Sequence, residues 1–131
     1  MDTLSRTQID QYQKNGFLVI ENLLDPKTVE ILRQRFDFLF QGKFETGIVP
    51  DEVNWQLGVS DPSLTRQIRN GWKADTMIAL TVLRADLGMA IAHLANWPGT
   101  RIFQDNLLWK PPAARSVGYH QDNAYISWLQ P

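Results

Sequence analysis

The sequence predicts an α+β fold with helices first and strands last. Three observations carry that expectation. At Asp25-Pro26 and again at Asp61-Pro62, an acidic cap precedes a proline suited to the first turn of a helix. Behind the first of these, Val29, Leu32, Phe36 and Leu39 recur at helical spacing. After Trp97-Pro98-Gly99 the pattern shifts towards alternation, the period of a strand.

Taken in order, Ser5 with Gln8 three residues on forms a capping-box spacing, and Asn15-Gly16 gives a left-handed stop, so a helix is predicted between them. Phe17-Leu18-Val19-Ile20 is a short apolar run and reads as a buried strand. The helix entered at Asp25-Pro26 closes at Gly42. Lys43 to Ser60 is loop-like, with Gly47, Pro50, Asn54 and Gly58, and its carboxylates Glu45 and Asp51 read as solvated. Leu64 and Ile68 after Asp61-Pro62 suggest a short helix ending at Asn70-Gly71. Ala74 to Asn96 is helical in composition and is expected to break near Asp86. Arg101 to Lys110 is strand-like, Pro111-Pro112 stops it, and Gly118 to Asp122 begins another extended piece.

At 131 residues the chain is the length of one domain, divided here as a mainly helical part, 1–98, and a part with the first core strands, 99–131. Apolar residues make up 44% and charged residues 21%, a globular balance. A formal net charge of -1, with Lys and Arg scattered among Asp and Glu, offers no surface for a phosphate backbone, so no nucleic-acid partner is expected. The absence of Cys removes disulfides, thiolate metal sites and thiol nucleophiles, and fits a reducing compartment. No signal peptide is visible at Met1 to Arg6, and the apolar run from Met77 to Leu83 is too short to span a bilayer. The expectation is a cytoplasmic protein with no membrane partner.

Alternation in the first late strand places Gln104, Asn106, Leu108 and Lys110 on one side, with Phe103, Asp105, Leu107 and Trp109 on the other. The polar side is most simply a solvent face. It also suits a bound carboxylate, because amide NH2 groups donate and Lys adds charge. His120 and Asp122, two apart, share a face and can bind one cation. Imidazole with carboxylate is two-thirds of a 2-His-1-carboxylate site for non-haem Fe(II). The triplet alone is unspecific, and a surface His–Asp hydrogen bond is the plainer alternative. His93, between Ala92 and Leu94, reads as an ordinary helical His. Tyr125 and Trp128 follow the motif closely and are candidates to line a pocket, with Trp55 as a further candidate.

Four stretches together resemble the phytanoyl-CoA dioxygenase family of Fe(II)- and 2-oxoglutarate-dependent oxygenases. They are Asn15-Gly16-Phe17-Leu18-Val19-Ile20, Leu23-Leu24-Asp25-Pro26, Trp97 through Lys110-Pro111-Pro112, and Tyr119-His120-Gln121-Asp122-Asn123-Ala124-Tyr125. The order Lys-Pro-Pro, Tyr-His-Gln-Asp, Tyr is the specific part. The resemblance implies a double-stranded β-helix, a jelly roll flanked by N-terminal helices, of which this chain holds only the first strands. It implies an oxidoreductase with iron and 2-oxoglutarate as cofactors, and O2 and a small organic molecule as partners. It carries His120 and Asp122 over as iron ligands, Gln104, Asn106 and Lys110 as cosubstrate contacts, and Tyr125 and Trp128 as substrate contacts. In the family a distal His and an Arg follow; neither residue type occurs after Asp122 here. The expectation is a truncated single domain, inactive unless further strands are supplied. A non-catalytic ligand-binding relative and a cupin-type Zn or Mn enzyme are the alternatives.

Overall fold

The computed structural model describes residues 4–122. Helix α1, Arg6–Asn15, opens on the expected box: Gln8 N donates to Ser5 Oγ at 3.3 Å and Ser5 N to Gln8 Oε1 at 2.9 Å. It ends at Gly16, whose φ of 77° is left-handed. Helix α2, Pro26–Phe40, is capped by Asp25, which accepts from Thr28 N at 2.9 Å. Its predicted stripe is graded: Leu39 is buried, Leu32 and Phe36 pack beside it, and Val29 is largely exposed.

Strands β1, Glu52–Val53, and β2, Arg66–Arg69, follow, then helices α3, Thr76–Val82, and α4, Ala85–Ala95, and strand β3, Asn106–Trp109. The three strands form one open antiparallel sheet in the order β1-β2-β3. Val53 faces Ile68, and Ile68 faces Leu107, so one sheet face is apolar and packs under α2 and α3. The core there is Leu39, Phe40, Trp55, Ile68, Ala74, Ile78 and Leu107. Helix α1 lies against α4, where Gln13 Nε2 donates to Leu94 O at 2.7 Å.

Several expectations are corrected. Phe17 to Ile20 forms no strand; Phe17 and Val19 are exposed, because no neighbouring strand takes up the backbone N–H and C=O groups of this run. The device at Asp61-Pro62 makes only a turn, with Ser63 N donating to Asp61 Oδ1 at 2.8 Å. The residues read as its helix are instead β2, held on both sides by ladder bonds around a fully buried Ile68. Strands therefore precede α3, and helices-first does not hold. The long late strand shrinks to Asn106–Trp109, and Gly118 to Asp122 is not a strand. Among the described residues the sheet has three strands and stays open, and with the helices it is compatible with the expected α+β class.

The apolar stretch Thr76–Ala95 is, as 20 continuous residues of mean hydropathy 1.5, long enough to cross a membrane. The chain interrupts it at Leu83-Arg84, near the expected break at Asp86. Arg84 ion-pairs with Asp86 at 2.5 Å and donates to Leu23 O at 3.3 Å, a charged crossing point between two short helices.

Gly71 shows how tightly the sheet closes on α3. A Cβ built there would lie 2.6 Å from Leu107 Cδ1. Leu107 is itself core, so it can yield only by disturbing its neighbours. Gly71→Ala is expected to cost about 1–3 kcal/mol, the range for overpacking a filled interior. A urea melt of the variant checks this; an unchanged midpoint would show that the turn before α3 has slack.

Candidate functional site

The β2–β3 register sets the site. Arg69 pairs with Asn106 and Gln67 with Leu108. Since facing residues share a side of the sheet, these four stand opposite Ile68 and Leu107, on the face away from the core. Gln67 Nε2 donates to Asn106 Oδ1 at 3.2 Å, which turns the Asn106 NH2 outward as a donor. The segment before Asp122 passes over this face. A pocket of about 660 Å³ lies between, lined by Gln67, Arg69, Gln104, Asn106, His120 and Asp122.

His120 Nδ1 lies 2.9 Å from Gly118 O. A carbonyl can only accept, so this contact places an N–H at Nδ1 and leaves Nε2 as the ring nitrogen that faces Asp122. Nε2 stands 3.5 Å from Asp122 Oδ1. The two donors thus converge at a spacing one cation can bridge, although neither residue is in a strand. The plainer alternative, a His–Asp contact near the surface, has the same geometry, since Asp122 is 82% exposed. Among the described residues no group of three or more His, Cys, Asp or Glu side chains converges.

The sequence-predicted residues divide clearly. Gln104, Asn106, His120 and Asp122 come together in one pocket. Lys110 is exposed, just beyond the end of β3, and does not line that pocket. Tyr125 and Trp128 lie outside the described residues. Trp55 is core rather than pocket: it is buried, its Nε1 donates to Asp61 O at 3.0 Å, and Arg66 stacks on it with Cζ 3.8 Å from the ring centroid. Trp109 covers the other side of Arg66 at 3.7 Å. His93 is exposed on α4 and borders a separate, mainly apolar groove of about 1100 Å³. Gln104 lines both spaces and so stands between them. Glu45 and Asp51 are not simply solvated. Glu45 accepts from Thr76 N at 2.9 Å, and Asp51 pairs with Lys73 at 2.6 Å.

Gln67 and Arg69 escaped the sequence reading because Leu64 and Ile68 suggested a helix. The usable signal was the alternation Arg66, Gln67, Ile68, Arg69 around one β-branched residue, too short to outweigh the cap in front of it.

Asp105, one residue before β3, positions the pocket from behind. Its carboxylate is buried and accepts from Gly71 N at 3.2 Å and Trp72 N at 3.1 Å. Burial pushes its carboxyl above the ordinary value, against these two donors, which pull it down. The folded chain therefore holds this proton more tightly than the unfolded chain. The contribution to stability falls as pH rises from the ordinary carboxylate value, about 3.9, through the raised one. Asp105→Asn is expected to remove that fall. In urea melts across the acidic range, stability of the variant minus that of the parent should grow as pH rises, then level off. A difference that shrinks with rising pH would reverse the assigned direction.

A sequence profile described as Phytanoyl-CoA dioxygenase (PhyH) matches residues 12–131. No curated protein and no solved structure matches the chain.

Proposed function

The chain belongs to the phytanoyl-CoA dioxygenase family, and from that membership we propose that it is an Fe(II)- and 2-oxoglutarate-dependent oxygenase that hydroxylates an unactivated C–H bond of a small organic molecule. The observation that carries the reading is the approach of His120 Nε2 to Asp122 Oδ1, 3.5 Å, across a pocket whose opposite wall bears Gln104 and Asn106.

In this reading His120 and Asp122 hold the iron as two of its protein ligands. Neutral imidazole and carboxylate are the donor set that suits Fe(II). The carbonyl of Gly118 orients the imidazole, the role that outer partners play at metal sites. Gln104 and Asn106 donate from their amides to the cosubstrate's carboxylate. Lys110, beyond the pocket lining, is left out of that cradle. Tyr125 and Trp128 border the substrate, and the apolar groove reached past Gln104 takes the substrate's apolar body. When bound, iron supplies the O2-dependent oxidation in which substrate, O2 and 2-oxoglutarate become hydroxylated product, succinate and CO2. The protein's share is register: the sheet face holds the reactants in line and limits access of water. The three strands are read as the beginning of a double-stranded β-helix, and the enzyme as cytoplasmic.

A Mn(II) titration followed by electron paramagnetic resonance tests the proposal, with Mn(II) as a redox-stable stand-in. The 131-residue chain is expected to bind Mn(II), and 2-oxoglutarate to tighten that binding by chelating the same ion. Free Mn(II) throughout, with and without 2-oxoglutarate, on folded protein would overturn it. Tight Zn(II) with indifference to 2-oxoglutarate would favour a cupin-type metalloenzyme instead.

A further inference from the structure

We propose that Asn15 is a site of spontaneous backbone modification, converting with water to aspartate and isoaspartate, while the fold keeps the chain's other Asn-Gly pair, Asn70-Gly71, inert. The proposal is independent of the pocket and of the oxygenase reading.

The chemistry belongs to the peptide itself. The backbone nitrogen of the glycine loses its proton and attacks Cγ of the asparagine. A C–N bond forms, the Cγ–Nδ2 bond breaks, and ammonia leaves. Water then opens the cyclic imide at one carbonyl or the other, giving aspartate or isoaspartate. Glycine favours the attack because no Cβ crowds its nitrogen. The reaction also needs a side-chain amide free to turn, a backbone N–H free to lose its proton, and a backbone able to bring the two together.

Asn70-Gly71 meets none of these needs. Asn70 Nδ2 donates to Asp51 Oδ2 at 2.7 Å, and its Oδ1 accepts from Asp105 N and Trp72 Nε1, each at 3.3 Å. Gly71 is buried, and its N–H donates to Asp105 Oδ2 at 3.2 Å. Removing that proton would set a negative nitrogen beside a carboxylate. Asn70 N also donates to Asp105 O at 2.9 Å, so freeing this turn means opening the sheet.

Asn15-Gly16 is placed differently. Both residues are exposed, and among the described residues the Asn15 side chain has no hydrogen bond. One bond restrains the pair, from Gly16 N to Tyr12 O at 2.8 Å. It closes the last turn of α1, a helix with no buried residue, tied to α4 through Gln13. A terminal turn of this kind opens at far lower cost than a core strand. The product carboxylate stands at the C-terminal end of α1, where unpaired carbonyls already carry partial negative charge. Isoaspartate also lengthens the backbone between Tyr12 O and Gly16 N. Modification therefore loosens the end of α1 and its bond to α4.

The test incubates the folded 131-residue chain in mildly alkaline buffer made with heavy-oxygen water. Peptide mapping by mass spectrometry then finds a heavy oxygen at each converted asparagine. Residue 15 is expected to convert at least about tenfold faster than residue 70, because a helix end opens far more often than the core. In concentrated urea the two rates should converge, since both pairs then lie in open chain. Gln13→Ala, which unties α1 from α4, should speed conversion at 15 and leave 70 unchanged. Equal rates at the two positions, in a chain whose urea melt shows it folded, would overturn the proposal. So would an Asn15 that reacts in urea yet stays intact as long as Asn70 in the folded chain, since the Tyr12 bond alone would then protect it.

Discussion

Arg35→Leu is expected to destabilise the fold by about 3 kcal/mol, because it strands a buried carboxylate. Asp75 is fully buried. Its Oδ2 takes both Nε and Nη2 of Arg35 at 2.6 Å, and its Oδ1 caps α3 by accepting from Met77 N and Ile78 N at 2.9 and 3.0 Å. One side chain therefore ties α2 to the start of α3, and Arg35 also reaches Glu45 at 3.3 Å. The two partners are not equivalent. Asp75→Ala leaves a guanidinium that is 22% exposed and still has Glu45, so it forfeits mainly the cap, about 1–2 kcal/mol. Arg35→Leu leaves a charge with no path to water. Urea melts of the two single variants and the double variant measure this order. The double variant should lose less than the sum of the singles, because removing Asp75 also removes the stranded charge. Equal losses in the two singles would show that the carboxylate finds water or a proton more easily than its burial implies.

His120→Ala is expected to lower Mn(II) affinity of the 131-residue chain at least a hundredfold while hardly changing stability. Loss of a partner that merely orients a ligand already costs about 10–100-fold, and here the ligand itself is deleted. The imidazole is 47% exposed and lies away from the core cluster, so the fold should change by about 0.5 kcal/mol or less. Asp122→Ala should behave alike, and Gln104→Ala should leave metal affinity intact while weakening 2-oxoglutarate. Paired Mn(II) titrations and thermal melts separate these effects. Unchanged Mn(II) affinity in His120→Ala would remove that residue from the ligand set. A large fall in melting temperature would mean that the imidazole supports structure.

Features written within four residues of chain were readable in advance. The Ser5–Gln8 box, the Asp25 cap, the left-handed Gly16 and the break in the apolar helix near Asp86 are local bonds and local steric preferences, and they stand as expected. The alternation that sets Asn106 and Leu108 on the face opposite Leu107 is equally local, because strand period follows from backbone geometry alone. Pairing was not readable. Strand β2 looked helical because its own residues carry a weak preference, and it becomes a strand only when β1 and β3 supply partners for its backbone. Gln67 enters the site through a bond to Asn106 spanning 39 positions, and Asp75 is held by Arg35 across 40. Trp55, buried, closes the core against Arg66 instead. The residue types and their spacing thus carried the chemistry of the motif. Which neighbours completed its wall depended on hydrogen bonds and burial between segments that the order of residues does not place side by side.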